Sequence, residues 1–175
     1  MAIFSIAKGR GKCLDPAMRE CDETPMLRAI ELARHGMLRG DGGPFGAVIV
    51  KDGEIVGEGW NRVLATHDPT AHGEVVAIRD ACAKLGTLAL EGCDIYTTGQ
   101  PCPMCLGAIY WARLRAIYYG FGVADAAEIG FDDREFFRQF SLPPADRTVP
   151  ETELCRAAAL ALAREFAALP GARTY

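Results

Sequence analysis

No stretch of this sequence is long and apolar enough to span a membrane. The most apolar segment, residues 157–168, is interrupted by Arg164 and Glu165 and falls short of the roughly 20 residues a bilayer requires. The opening, MAIFSIAKGRGK, has too short an apolar run for a secretion signal. A basic cluster is missing too: 23 acidic residues outnumber 19 basic ones, for a net charge of −4. That excludes strong sequence-independent attraction to nucleic acid and favours a small, uncharged or weakly polar substrate. There is no internal repeat and no low-complexity linker, and 175 residues suit one domain with a real core. The seven cysteines (13, 21, 82, 93, 102, 105 and 155) are odd in number and contain one close pair. They read as reduced thiols in the cytoplasm rather than a disulfide framework.

What is present alternates between helical and extended patterns. Thr24 and Pro25 open a helix, with Thr24 as N-cap, and Leu27, Ile30, Ala33 and Met37 share one face. Gly40 and Gly42-Gly43 end it, and His35 within it reads as a surface or capping histidine. Strands are expected over Phe45–Val50 and Ile55–Asn61, joined by the Asp52-Gly53 hairpin signal. After a loop, a helix is expected from His72 to Leu85, closed by Gly86 and buried through Val75, Val76, Ile78, Ala81, Cys82 and Leu85. A strand at Cys93–Thr98, a helix from Cys102 and a strand at Ala116–Tyr119 follow. The leading hairpin makes the sheet mixed, and the later alternation implies parallel strands covered by helices. Residues 1–22 read as an N-terminal extension, 23–150 as the catalytic domain, and 151–175 as a C-terminal helix and tail. The Pro-rich stretch 141–150 is the connector.

The chemistry concentrates in His72-Gly73-Glu74 and Pro101-Cys102-Pro103-Met104-Cys105. Zinc takes imidazole and thiolate ligands tetrahedrally, and a catalytic zinc keeps one position for water. His72, Cys102 and Cys105 make three ligands and leave the fourth position open. Cys102 and Cys105, three apart at a helix start, can turn towards one point, and the helix amino end favours their ionisation. Water on such a metal supplies hydroxide near neutral pH. His72 and Glu74 are two apart, so they can serve one site only if both fold around a helix start. Glu74 is then the proton shuttle. The competing reading is a structural zinc, which needs a fourth protein ligand such as Cys82 or Cys93. Both are more simply buried small residues.

The H-x-E…P-C-x-x-C pattern resembles the zinc-dependent cytidine deaminase-like superfamily. GGPFGAVIVKDG (42–53), HDPTAHGEV (67–75), PCPMCLGAIYWAR (101–113) and DAAEIGFDD (125–133) carry the resemblance from about Gly42 to Pro150. GFDD and a terminal Tyr resemble its guanine-deaminating bacterial branch. The resemblance implies a three-layer α/β/α sandwich around a mixed, mostly parallel sheet of about five strands. It also implies one Zn²⁺ per subunit and a hydrolase acting on the C–N bond of a cyclic amidine in purine metabolism. Guanine would become xanthine and ammonia. Asn61 would hydrogen-bond the purine edge, or simply close a strand. Phe45 would pack on the base, or in the core. Asp133 would read the amino or imino hydrogens, or cap a helix. Trp111 would line the pocket, a dimer interface or the core. Tyr175 would close the pocket, in its own subunit or in a partner's, since the family forms homodimers that exchange C-terminal segments.

The sequence departs from the family pattern at Gln100, where Glu is usual, and at Gly73, where Ala is usual. The N-terminal extension and the Ala-rich terminal helix match nothing in it. Guanosine, cytosine or an aminotriazine are alternative substrates for the same chemistry. A tRNA adenosine deaminase fits the acidic balance poorly. A non-catalytic zinc-stabilised binding module would need the ligands but not Glu74.

Overall fold

The structure, a computed structural model, describes residues 22–174. The expectations for residues 1–21 and for Tyr175 lie outside the described residues. The elements run α1 (Thr24–Arg39), β1 (Gly46–Lys51), β2 (Glu54–Trp60), α2 (Val63–Thr66), α3 (Gly73–Leu85), β3 (Asp94–Gly99), α4 (Pro103–Trp111), β4 (Ala116–Phe121), α5 (Val123–Glu128), α6 (Arg134–Ser141) and α7 (Arg156–Ala168). Asp52 and Gly53, at φ 51° and 85°, make the tight turn between β1 and β2.

The sheet order is β2-β1-β3-β4, four strands rather than about five among the described residues. β1 is antiparallel to both β2 and β3, and β3 is parallel to β4. Three strands therefore share one direction, and β1 runs against them between two of them. The crossover through α3 carries the chain from β2 over β1 to β3. β1 is covered on both faces, which is why it reads as the unbroken apolar run Ala47-Val48-Ile49-Val50. Ala47 and Ile49 join Ala77, Ala81 and Ile109 in one core layer. Val48 and Val50 meet Ala29 and Leu32 of α1 in the other. The three layers expected from the sequence are these.

The faces of two helices differ from the expectation. α1 buries Pro25, Ala29, Leu32, Ala33 and Gly36, while Leu27 and Met37 are 54% and 45% exposed. α3 buries Gly73, Glu74, Ala77 and Ala81, and Leu85 is exposed. The cause is close approach: helices pressed onto this sheet present their small residues. A Cβ on Gly46 would lie 2.2 Å from the Ala29 carbonyl oxygen of α1. Thr24 also proves to be the first helical residue rather than the N-cap. Its N–H donates to Asp22 Oδ1 at 2.9 Å.

The packing of α3 on β2 sets where the motif helix starts. A Cβ on Gly59 would lie 2.4 Å from both Ala77 N and the Gly73 carbonyl oxygen, all rigid backbone. Gly59→Ala is expected to destabilise the protein by about 3 kcal/mol, the upper range for overpacking. Gly107→Ala is the control. Its Cβ meets nothing within 4 Å, so it is expected to stabilise α4 by roughly 0.5–1 kcal/mol. Urea unfolding of the pair checks this, and equal midpoints for the two variants would refute it.

Candidate active site

Two helix amino ends meet at one place. His72 is the N-cap of α3 and Cys102 the N-cap of α4, both with extended backbone (φ −69°, ψ 153° and φ −65°, ψ 167°). Pro103, the first residue of α4, suits that position because its missing N–H would be unpaired there and its φ is already helical. Cys105, one turn into α4, is fully buried. His72 Nδ1 lies 3.6 Å from Cys102 Sγ and 3.4 Å from Cys105 Sγ. All three atoms fall within 4.8 Å of one another, the one such trio among the described residues.

These separations fit a zinc ion. Bonds of about 2.3 Å to sulfur and 2.0–2.1 Å to nitrogen, opened tetrahedrally, put ligand atoms about 3.6 Å apart. The electrostatics fit too. Cys102 is held down to about 4 by the hydrogen bond from Cys105 and then by His72. Cys105 is pushed far up by Cys102 and by burial. The imidazole of His72 is raised by its hydrogen bond to Cys102. A dication held by His72, Cys102 and Cys105 would take the place of the protons on these three ligand atoms. Cys93 is buried in the α3/α4 core layer and Cys82 packs against it. Neither joins the trio, so the structural-zinc reading gains no fourth protein ligand among the described residues.

Glu74 sits in the first turn of α3 and is buried. Burial pushes its carboxyl above the usual range, opposed by a backbone N–H at the helix start. His72, Glu74 and Cys102 open onto a cavity of about 630 Å³. Asn61, Phe45, Gln100 and Asp133 also line it. Asn61 is buried, and its Oδ1 accepts the Val63 N–H at 3.2 Å, so it faces the cavity and closes the strand end at once. Asp133 stands at the N-cap position of α6, but its side chain makes no cap hydrogen bond. Its Oδ1 is buried without a partner, and burial raises its carboxyl. An orphaned carboxylate oxygen in a cavity wall is a site for a donor from a ligand.

Of the three expectations for Trp111, pocket wall, dimer interface or core, the first is corrected: it does not line the cavity of this chain. It lies about two helical turns beyond Met104, at the far end of α4, and is 67% exposed. Several wall residues were not singled out from the sequence: Met104, Phe131, Phe136 and Phe140. Phe136 and Phe140, 57% and 69% exposed, share the i, i+4 spacing that puts both on one face of α6. That spacing was the available signal.

The model of the cytidine and deoxycytidylate deaminase zinc-binding region matches residues 19–121. Guanine deaminase of Bacillus subtilis (strain 168) is 55% identical over 128 residues, covering 73% of this chain and 82% of the relative. The X-ray structure of guanine deaminase from Bacillus subtilis superposes with a TM-score of 0.83 at 47% identity, covering 87% of this chain and 98% of that one. Guanine deaminase from Nitrosomonas europaea superposes with a TM-score of 0.61 at 30% identity, covering 91% and 95%. The matched span contains both helix starts that build the His-Cys-Cys trio, and the chain belongs to the zinc-binding cytidine and deoxycytidylate deaminase family.

Proposed function

We propose that the chain hydrolyses guanine to xanthine and ammonia, with Glu74 as the proton shuttle. The observation that carries this reading is the orphaned Asp133 carboxylate oxygen in the same cavity wall as Glu74 and the metal-ligand trio. The C2 amino group and N1–H of guanine form a donor edge that such an acceptor reads, and the Asn61 amide offers both donor and acceptor. Phe45 and Phe131 give the flat base an apolar wall. Zinc, when bound by His72, Cys102 and Cys105, lowers the pKa of a water to roughly 7 and so supplies the nucleophile. Water adds at C2, and the C2–NH₂ bond breaks. Glu74 takes the water's first proton on its carboxylate and passes it to a ring nitrogen; it then takes the proton of the new C2 hydroxyl and gives it to the amine, which leaves as ammonia while C2 becomes a carbonyl. The buried, first-turn position keeps that carboxyl in reach of both.

Residues 23–150 form the catalytic unit in this reading, and 151–175 a segment that closes the site. α7, thirteen residues long, buries none of them among the described residues, where Leu162, Phe166 and, just after it, Leu169 are exposed. A second copy is the occupant that fits, giving a homodimer with exchanged C-terminal segments and Tyr175 over the partner's cavity. Light scattering is expected to give twice the chain mass.

The reaction is tested by ammonia release from zinc-loaded protein offered guanine, guanosine, adenine, cytosine and an aminotriazine. Guanine is expected to give the highest kcat/KM. Preference for another of these keeps the chemistry and overturns the assigned roles of Asn61 and Asp133.

A further inference from the structure

One oxygen of the Asp133 carboxylate, Oδ1, is buried without a hydrogen-bond partner, and the side chain does not cap α6. Its neighbours do not supply one. Asp132 is taken by Arg134, with contacts of 2.7 Å and 2.5 Å. Gly130, at φ +93° with open space around it, leaves the chain free to turn just before. Between them stands Phe131. Its ring packs edge-on against Phe45, with centroids 4.9 Å apart at 85°. The fit depends on Gly43: a Cβ there would lie 2.7 Å from Phe131 Cζ and 3.0 Å from the Phe45 ring. Gly43 does not have a positive φ, so what it provides is a notch.

Phe45 is the fixed part of this contact. Its carbonyl oxygen accepts the Asn61 N–H at 2.8 Å. The same oxygen lies 3.0 Å from where a Cβ on Gly73 would stand, between His72 and Glu74. One residue therefore touches the backbone of Asn61, the start of the motif helix and the ring of Phe131. A ring locked on that residue ties the Phe131-Asp132-Asp133 segment to the frame that holds Glu74.

We propose that Phe131, seated in the notch at Gly43 against Phe45, is a positioning residue that aims the Asp133 carboxylate into the cavity. This rests on the assignment of Asp133 as a reader of guanine. Neither the sequence motif nor the metal ligands call for a phenyl ring two residues before that carboxylate; the contact geometry does.

The test uses the full zinc-loaded chain and a double-mutant cycle with guanine as substrate. Phe131→Ala is expected to lower kcat/KM about 100-fold, the scale of a misplaced reacting geometry. Adding Asp133→Asn to Phe131→Ala is expected to cost less than about threefold more, because the carboxylate is already misaimed. Phe131→Leu, which keeps apolar bulk, is expected to regain about tenfold of the loss. Gly43→Ala, which fills the notch, is expected to behave as Phe131→Ala. Zinc per chain is expected to match wild type in all of them. If Phe131→Ala unfolds, the same cycle is run with Phe131→Leu and Gly43→Ala.

Losses that multiply in the double variant would overturn the inference, as would a Phe131→Ala enzyme with wild-type kcat/KM. Those results leave the guanine reading standing. Turnover of guanine by Asp133→Asn at the wild-type kcat/KM instead removes the role of Asp133, and the inference with it. A wild type that does not turn over guanine removes the reaction itself, and with it both.

Discussion

Glu74→Gln is expected to fold and bind zinc as the wild-type chain does, and to release ammonia from guanine about 10²–10⁴-fold more slowly. Glutamine has nearly the same shape and keeps a carbonyl oxygen, so the first turn of α3 has no reason to move. What it lacks is the ability to accept a proton and give it back. The three ligand atoms belong to His72, Cys102 and Cys105 and are untouched. The buried carboxylate also carries a cost, since burial disfavours its charged form. The metal-free variant is therefore expected to melt no lower than wild type, the usual sign of a group kept for chemistry rather than stability. Ammonia assays, zinc content and thermal melts on one preparation separate the three quantities. Activity within tenfold of wild type, with zinc retained, would remove Glu74 as the shuttle. A zinc-loaded variant that still fulfils the protein's role in cells would favour a binding module over an enzyme.

The trio was legible in the sequence because its logic is local. The short spacings in His72-Gly73-Glu74 and Cys102-Pro103-Met104-Cys105 make sense only at helix starts, and the structure puts both there. Hairpin and helix ends were legible for the same reason: Asp52-Gly53 and Gly86 take positive φ in place. What the sequence hid depends on depth of packing. On α1 the sequence suggested Leu27, Ile30, Ala33 and Met37 as the inward face; Ala33 does lie there, but its buried companions are Pro25, Ala29, Leu32 and Gly36. The deciding partner, Gly46, is one element away in sequence. Trp111 was drawn to the cavity by its neighbourhood in the PCPMC helix, though two turns of rise carry it to the far end. Phe131 was passed over beside two aspartates, because its role appears only when Gly43 and Phe45 are brought up against it.

Cys105→Ala is expected to lose zinc and, with it, both activity and heat resistance. The side chain is small and its removal leaves a void of one sulfur, so the packing cost is minor beside the metal's. Outer-shell partners of a metal ligand are themselves worth about 10–100-fold in affinity, and a ligand is worth more. Free zinc at 1,000 times the wild-type Kd stabilises the native chain by about 4.1 kcal/mol. With affinity about 100-fold weaker, the same zinc contributes about 1.4 kcal/mol, a deficit of about 2.7 kcal/mol. For a domain of this size that is a fall in Tm of about 5–10 °C. The expected pattern is a wild type whose Tm drops by about 8–16 °C when a chelator is added and a variant whose Tm drops by about a third as much. Cys93→Ala is the control. Its sulfur is equally buried but lies outside the trio, so the variant is expected to keep one zinc per chain and the wild-type response to chelator. If Cys105→Ala binds zinc as tightly as wild type, the ligand set is wrong. If Cys93→Ala loses it, the metal is held by four protein ligands and the site has no place for water. The contrast is decisive because α3 and α4 meet through their amino ends. A metal there joins the two helices that frame the cavity, while Cys93 only fills space beneath them.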